Sequence, residues 1–346
     1  MIPHSRPTVS AEDAESVARV VRSGHLAQGA EVEGFERELA ARLDVTAVAV
    51  VSSGSAALEL ALRALDVGPD AEVVVPTYAC DALHHAVTRC GATPVLADAD
   101  PETLGPSPKD VTRRLTRRAR AVVIVHPFGL ALDLDPFLAL GVPVVEDCAQ
   151  AIGARVAGRP VGSRGALAAC SFYATKLLTT GEGGAVAGAA PRVARVRDAR
   201  DYDEREDLVP RFNFKLTDVQ AALGRSQLGR LDTFIARRRA IAARYRARLA
   251  SLAGCRPPGD AGERHVFHRF VVTLERPVGP LLERLARGGI AVRRPVFRPI
   301  HRALGLGGYP EADRLWTHCL SLPCYPSLTD AEVDAVGAAL AEALPT

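Results

Sequence analysis

The amino-acid sequence predicts an α/β fold: a large unit built on a mostly parallel sheet flanked by helices, followed by a smaller α+β unit. Three observations carry this. Short apolar runs recur at Ala47–Val51, Glu72–Pro76, Ala92–Ala97, Ala121–Val125, Val142–Val145 and Ala166–Phe172, with helical stretches between several of them. These runs are continuously apolar, as strands covered on both faces are. A long helical pattern then runs from Thr217 to about Leu252, and an alternating strand follows at His265–Leu274. A helix of that length often links two units, and the boundary is expected within 230–245, dividing the chain into residues 1–235 and 236–346.

The chain has 346 residues, enough for two domains with ample core. Hydrophobic residues make up 48% and charged residues 24%, ordinary for a globular protein. A net charge of +3 gives no argument for a nucleic-acid or membrane partner. The arginines at 113, 114, 117, 118 and 120 have no interleaved aromatics, so a solvated helix face accounts for them. The seven cysteines form no C-x-x-C pair and read as reduced, mostly buried thiols of a cytoplasmic protein. Residues 1–25 have no apolar h-region, and no run approaches the ~18 apolar residues of a membrane span.

Taken in order, Ser10-Ala-Glu-Asp13 caps a helix over Ala11–Ser23, which Gly24 ends, and Glu31–Leu43 is a second amphipathic helix. Ala47–Val51 is a buried strand. Ser52-Ser-Gly-Ser55 then turns sharply into a helix over Ala56–Leu65. Such a strand, Gly/Ser turn and helix start aims backbone N–H groups at an anion, and is equally an ordinary serine-capped turn. No Gly-Lys-Ser/Thr follows and no G-x-G-x-x-G is present, which disfavours Walker-type and dinucleotide sites.

The strand Glu72–Pro76 delivers Tyr78 and Cys80 to its carboxyl end, where ligands sit in open α/β sheets, and a helix follows over Asp81–Cys90. Ala121–Val125 ends in His126, which suits a ligand contact or a structural hydrogen bond alike. Val142–Val145 ends in Glu146-Asp147, a carboxylate at a strand end that suits a ring nitrogen, a helix cap or Mg²⁺. Ala166–Phe172 leads into Lys176, with Gly181-Glu-Gly-Gly184 beyond. A lysine held in a partly apolar pocket loses preference for its charged form and can add to an aldehyde. Asp147 and Lys176 lie 29 residues apart, about one β-α-β step, so neighbouring strand ends can present both to one ligand.

Beyond these, Arg192–Arg200 is helical and Thr217-x-x-Gln220 is a capping box. The arginines at 237, 238, 239, 244, 246 and 248 fall on the solvated face of the long helix. Val278–Arg287 reads as a helix, Ile290–Val292 as strand-like, and Thr329–Leu344 as a capped terminal helix. Arg293, Arg294, Arg298 and His301 share a Pro-rich loop, where they receive an acidic substrate group or decorate the surface.

Six stretches stand in a specific order. They are Ser-Ser-Gly-Ser-Ala-Ala at 52–57, Val-Pro-Thr-Tyr at 75–78 and Glu-Asp-Cys-Ala-Gln at 146–150. Ser-Phe-x-x-x-Lys follows at 171–176, Asn-Phe-Lys-x-Thr-Asp-x-Gln-Ala-Ala at 213–222, and Ser-Leu-Pro-Cys-Tyr-Pro-Ser-Leu-Thr at 321–329. In this order they resemble the DegT/StrS family of sugar aminotransferases, fold-type-I enzymes dependent on pyridoxal 5′-phosphate (PLP), across essentially the whole chain.

The resemblance implies a mixed seven-stranded sheet in the large domain. It makes Lys176 the Schiff-base lysine and proton shuttle, Asp147 the partner of the pyridinium nitrogen, and Gln150 the neighbour of the ring hydroxyl. It makes Gly54, Ser55 and Ser171 the phosphate cup, and Asn213 a residue given to the partner subunit's phosphate in a homodimer. Many members carry an aromatic ring at position 80; here Cys80, or Tyr78 on the same face of an extended segment, would cover the cofactor. A dehydratase branch replaces the lysine with histidine, and this chain keeps Lys176.

The resemblance implies a reaction that moves an amino group from L-glutamate to a keto-sugar linked to a nucleotide, for polysaccharide or secondary-metabolite synthesis. No metal is expected. The alternatives are an aminotransferase acting on a cyclitol ketone, another PLP enzyme of this fold, and a non-catalytic PLP-binding regulator.

Overall fold

The computed structural model describes residues 1–344, so the last two residues of the 236–346 segment lie outside it. Helices α1 (Ala11–Ser23) and α2 (Ala30–Leu43) precede the sheet. The expected capping box closes α1, with Ser10 and Asp13 bonded reciprocally, and Gly24 ends it at φ 75°.

A seven-stranded sheet follows. Its strands are β1 (Ala47–Val51), β2 (Glu72–Pro76), β3 (Thr93–Ala97), β4 (Ala119–Val125), β5 (Val144–Asp147), then, beyond a small hairpin of β6 (Arg155–Val156) and β7 (Arg159–Pro160), β8 (Leu167–Ser171) and β9 (Gly184–Gly188). The order is β1-β9-β8-β5-β4-β2-β3. The pairs from β3 through β8 are parallel, and β9 lies antiparallel between β8 and β1. Side-chain alternation divides β1 between two cores: Ala47, Ala49 and Val51 enter one, Val48 and Val50 the other. Helices α3 (Gly54–Ala64), α4 (Ala82–Arg89), α5 (Pro108–Arg114), the short α6 (Asp135–Leu138) and α7 (Ala190–Ala199) are interleaved with these strands.

Helix α5 begins at Pro108, where Ser107 caps it and the proline suits its first turn, and it stops at Arg114. Arg113, Arg117, Arg118 and Arg120 are exposed, as a solvated face requires, and three of the five arginines also pair with acids: Arg113 and Arg114 with Asp110, and Arg118 with Glu72.

The expected single helix from Thr217 to Leu252 is two helices, α8 (Asp218–Gly229) and α9 (Leu231–Leu249). Arg230 takes a non-helical conformation at the break (φ −107°, ψ 4°). Its guanidinium is tied to Asp13 of α1, so a long-range ion pair marks the bend.

After α9 come β10 (Cys255–Arg256), β11 (Phe270–Leu274), α10 (Gly279–Arg287), the short α11 (Ile300–Ala303), α12 (Pro310–His318), β12 (Cys319–Leu322) and α13 (Asp330–Ala343). The three strands form a separate antiparallel sheet, β10-β11-β12. Strand β11 begins five residues later than expected, since Phe267 sits at φ 48° and breaks the extended run. Ile290–Val292 forms no strand; Ile290 makes one parallel bridge with Ile2. All seven cysteines are free, and among the described residues no helix is long and apolar enough to cross a membrane.

Candidate active site

Strands β5 and β8 are hydrogen-bonded neighbours, with Asp147 opposite Ala169. Their carboxyl ends therefore open onto the same edge, where a crevice forms in such sheets. A cavity of about 340 Å³ occupies that edge. Tyr78, Cys80, Asp147, Gln150 and Lys176 all line it.

Lys176 follows β8 on a turn closed by its own N–H donating to the Tyr173 carbonyl at 2.9 Å. Burial lowers its pKa, the nearby Asp147 charge raises it, and the Arg269 charge lowers it again. Asp147 is the last residue of β5 and accepts from the Ala149 N–H at 2.9 Å. Burial raises its pKa, against that hydrogen bond and the Lys176 charge, which both lower it.

Beneath them, Glu146 is fully committed to structure. It accepts from the N–H groups of Gly162, Arg164 and Gly165 at 2.6–2.8 Å and lies 3.2 Å from His126 Nε2. His126 Nδ1 accepts from the Leu132 N–H at 3.0 Å. The buried trio His126, Glu146 and Cys148 has ligating atoms within 4.8 Å of one another. These hydrogen bonds occupy the His126 nitrogens and Glu146 oxygens that a metal would need, so the trio is read as a buttress for the Asp147 strand end.

Gln150 accepts from the Phe128 N–H at 2.9 Å. This holds Phe128 at φ 57°, ψ 12°, a left-handed conformation unusual for a bulky residue. Gly54, Ser55 and Ser171 lie beside the cavity lining rather than in it. Gly54 opens α3, whose cap is Ser53, accepting from the Ala56 N–H at 3.1 Å. A Cβ on Gly54 would stand 2.6 Å from Ser171 Cβ, so only glycine lets the helix start approach β8 this closely.

Tyr78 and Cys80 both line the cavity but differ in exposure. Tyr78 is buried, edge-on to Phe128 at 6.3 Å, and donates to the Leu315 carbonyl at 3.4 Å. Strand β2 ends at Pro76, so the two-residue rule for extended chain no longer applies, and Cys80 is the exposed one.

The Pro-rich loop is divided. Arg298 lines the cavity and is exposed. Arg293 is exposed beside it, bridging to Ser321 through its backbone. Arg294 donates to the Trp316 carbonyl at 3.0 Å and stacks on that ring. His301, expected in an exposed loop, is 1% exposed, bonded to Thr77 Oγ1 at 2.9 Å and 3.1 Å from Asp313. It is therefore a packing residue, held there because α11 forms inside the loop. Asn213 is exposed and bridges Asp201, away from the cavity of its own chain.

Sequence reasoning missed Phe128, Tyr173, His268 and Arg269, which also line the cavity. Local alternation reads segment 265–269 as the start of a strand. Its cavity position comes from Gly129, at φ 101°, whose carbonyl accepts from the Val266 N–H while that of Phe128 accepts from the Arg269 N–H.

This architecture recurs at a TM-score of 0.94 and 25% identity, with all of both chains covered, in the protein Spr1654 of Streptococcus pneumoniae, solved in its PMP form. The fold is that of the PLP-dependent aminotransferases. A sequence profile of the DegT/DnrJ/EryC1/StrS aminotransferase family matches residues 7–341, and the chain belongs to that family. It is 38% identical to a dTDP-3-amino-3,4,6-trideoxy-α-D-glucose transaminase of Streptomyces venezuelae, over 92% of this chain and 88% of that one. It is 34% identical to a GDP-perosamine synthase of Caulobacter vibrioides, over 90% of this chain and 89% of that one.

Proposed function

We propose that the protein transfers an amino group from L-glutamate to a nucleotide-linked keto-sugar, with PLP as cofactor and Lys176 as its attachment point. The observation that carries this is the convergence of Lys176 and Asp147 on one cavity at adjacent strand ends. The nucleotide-sugar names of the two relatives support the acceptor class.

The residues fit the cofactor. An amine of lowered pKa suits its aldehyde, a carboxylate at a strand end suits its ring nitrogen, and the α3 start beside Ser171 suits its phosphate. When bound, PLP supplies an aldehyde carbon and a ring that takes up the electrons left when the substrate's Cα loses its proton. Lys176 Nζ would hold the aldehyde and, once free, would be the base placed to move a proton at the donor's Cα. Asp147 would hold positive charge at the ring nitrogen. Gln150 would stand beside the ring hydroxyl, and Tyr78 or Cys80, which both line the cavity, would cover the ring. Gly54, Ser55 and Ser171 would receive the phosphate.

Exposed Asn213 is read as reaching the phosphate of a second copy, in a homodimer with shared sites. Residues 1–235 form the cofactor-binding part and 236–346 the smaller part. We place the enzyme in the cytoplasm, where its seven free thiols stay reduced.

The test is an absorbance spectrum of the purified protein with PLP, before and after L-glutamate, beside Lys176→Ala. A visible cofactor band that glutamate bleaches, and that the variant lacks, is expected. A band unchanged by glutamate would remove the donor assignment. No band in the wild type would sink the site.

A further inference from the structure

Arg269 is the unexplained charge of the molecule. It lines the same cavity as Lys176, and its Nε is buried with no hydrogen-bond partner. Among the described residues its guanidinium makes no ion pair: neither Asp81 nor Asp147, the two carboxylates of the lining, pairs with it. Burial, and after it the charge of another cation, Arg293, lower its pKa. Arg269 is half-buried, and a cation withdrawn from water without an anion is disfavoured.

The backbone nonetheless fixes Arg269 in place. Its N–H donates to the Phe128 carbonyl at 3.1 Å, across the loop that Gln150 holds in its left-handed conformation. A Cβ on Gly129 would lie 2.7 Å from the His268 nitrogen, so the two segments meet backbone to backbone. From behind, buried Arg238, expected on a solvated helix face, donates to the Phe267 and His268 carbonyls at 3.2 Å each. The position is built, and the charge it carries lacks a counter-ion.

We propose that the Arg269 guanidinium is the receptor for a carboxylate of the amino-acid donor, set beside Lys176 in the same cavity. This rests on the aminotransferase reading and adds the donor's binding group to it. A guanidinium presents a planar fork that matches a carboxylate with two parallel hydrogen bonds and one balancing charge. A diphosphate carries more charge than one arginine neutralises; exposed Arg293 and Arg298 suit it better. A donor places its amine at the Lys176 nitrogen, so its carboxylates must lie within the same cavity, where Arg269 stands.

The test compares wild-type holoenzyme with Arg269→Leu and Arg269→Lys, using glutarate, L-glutamate and UDP as probes. Glutarate has the carboxylates without the amine, and its effect on Tm reads binding with no chemistry. In Arg269→Leu, affinity for glutarate and L-glutamate should weaken by about 10- to 100-fold, the value of a charged hydrogen-bonded pair, while UDP affinity is unchanged. Arg269→Lys should recover part of the loss. Without ligand, Arg269→Leu should melt no lower than wild type, since it deletes a half-buried charge that has no counter-ion; a structural arginine would give the opposite.

Unchanged glutarate binding, or loss of UDP binding alone, overturns the proposal. If Arg269→Leu does not fold, Arg269→Gln replaces it under the same criteria. A wild type that shows no cofactor band yet binds glutarate through Arg269 would sink the aminotransferase reading and keep the anion site. The reverse pattern sinks the anion site alone.

Discussion

Burial sets the protonation of Lys176, and two charges adjust it in opposite directions. Asp147 favours the ammonium and Arg269 disfavours it, with burial the largest effect. The lysine must be neutral to attach an aldehyde, so the rate of PLP uptake should rise with pH about a midpoint below the ordinary lysine value of about 10.4. Asp147→Asn removes the stabilising anion and should move that midpoint down. Arg269→Leu removes a repelling cation and should move it up. Stopped-flow uptake across a pH series reads all three, and a midpoint that neither substitution moves would separate these residues from the lysine. At this scale the sequence made Lys176 and Asp147 legible because strand ends can be read from short apolar runs. Arg269 was not legible, since nothing local marks an arginine that a distant loop draws into a cavity.

Among the elements, α2 and α8 meet at glycines. A Cβ on Gly224 would stand 2.6 Å from Phe35 Cζ, and one on Gly34 would stand 2.8 Å from Arg225 Cζ. Gly224→Ala should therefore cost about 1–3 kcal/mol through overpacking, although alanine is the better helix former. Urea denaturation checks this; a neutral or stabilising result would mean that the helices can part at no cost. Asp218 also joins these helices. It begins α8, yet its carboxylate accepts from the N–H groups of Gly29, Glu31 and Val32 at 2.8–3.2 Å and so caps α2. In the sequence Asp218 is only part of the Thr217 capping box. Its second partner is out of reach of local pattern, being nearly 190 residues away.

For the whole molecule, buried histidines set the response to acid. Burial, aided by nearby arginines, pushes His4 and His265 down to about 3, and pushes His268 well down too. Their folded pKa values lie below the unfolded value of 6.5, so the unfolded chain binds more protons between these limits. Stability from this source is full above 6.5 and is lost as pH falls towards 3. Tm should therefore drop steadily over that window, and His4→Gln should flatten the slope. An unchanged slope would assign acid sensitivity elsewhere. His4 shows why the effect belongs to the molecule: it bonds Ser321 Oγ at 2.9 Å, tying the first residues to β12.

The sequence by itself determined the alternation of strands and helices, the three capping boxes, and the strand ends that carry Asp147 and Lys176. Each follows from periodicity or from hydrogen bonds spanning a few residues. Tertiary structure decided which strand ends are neighbours, where the long helix breaks at Arg230, that Tyr78 is buried where Cys80 is exposed, that Arg238 is buried, and that Arg269 is drawn into the cavity lining. Those outcomes depend on contacts between segments far apart in the chain, and a local pattern holds no record of which distant backbone will come to lie against it.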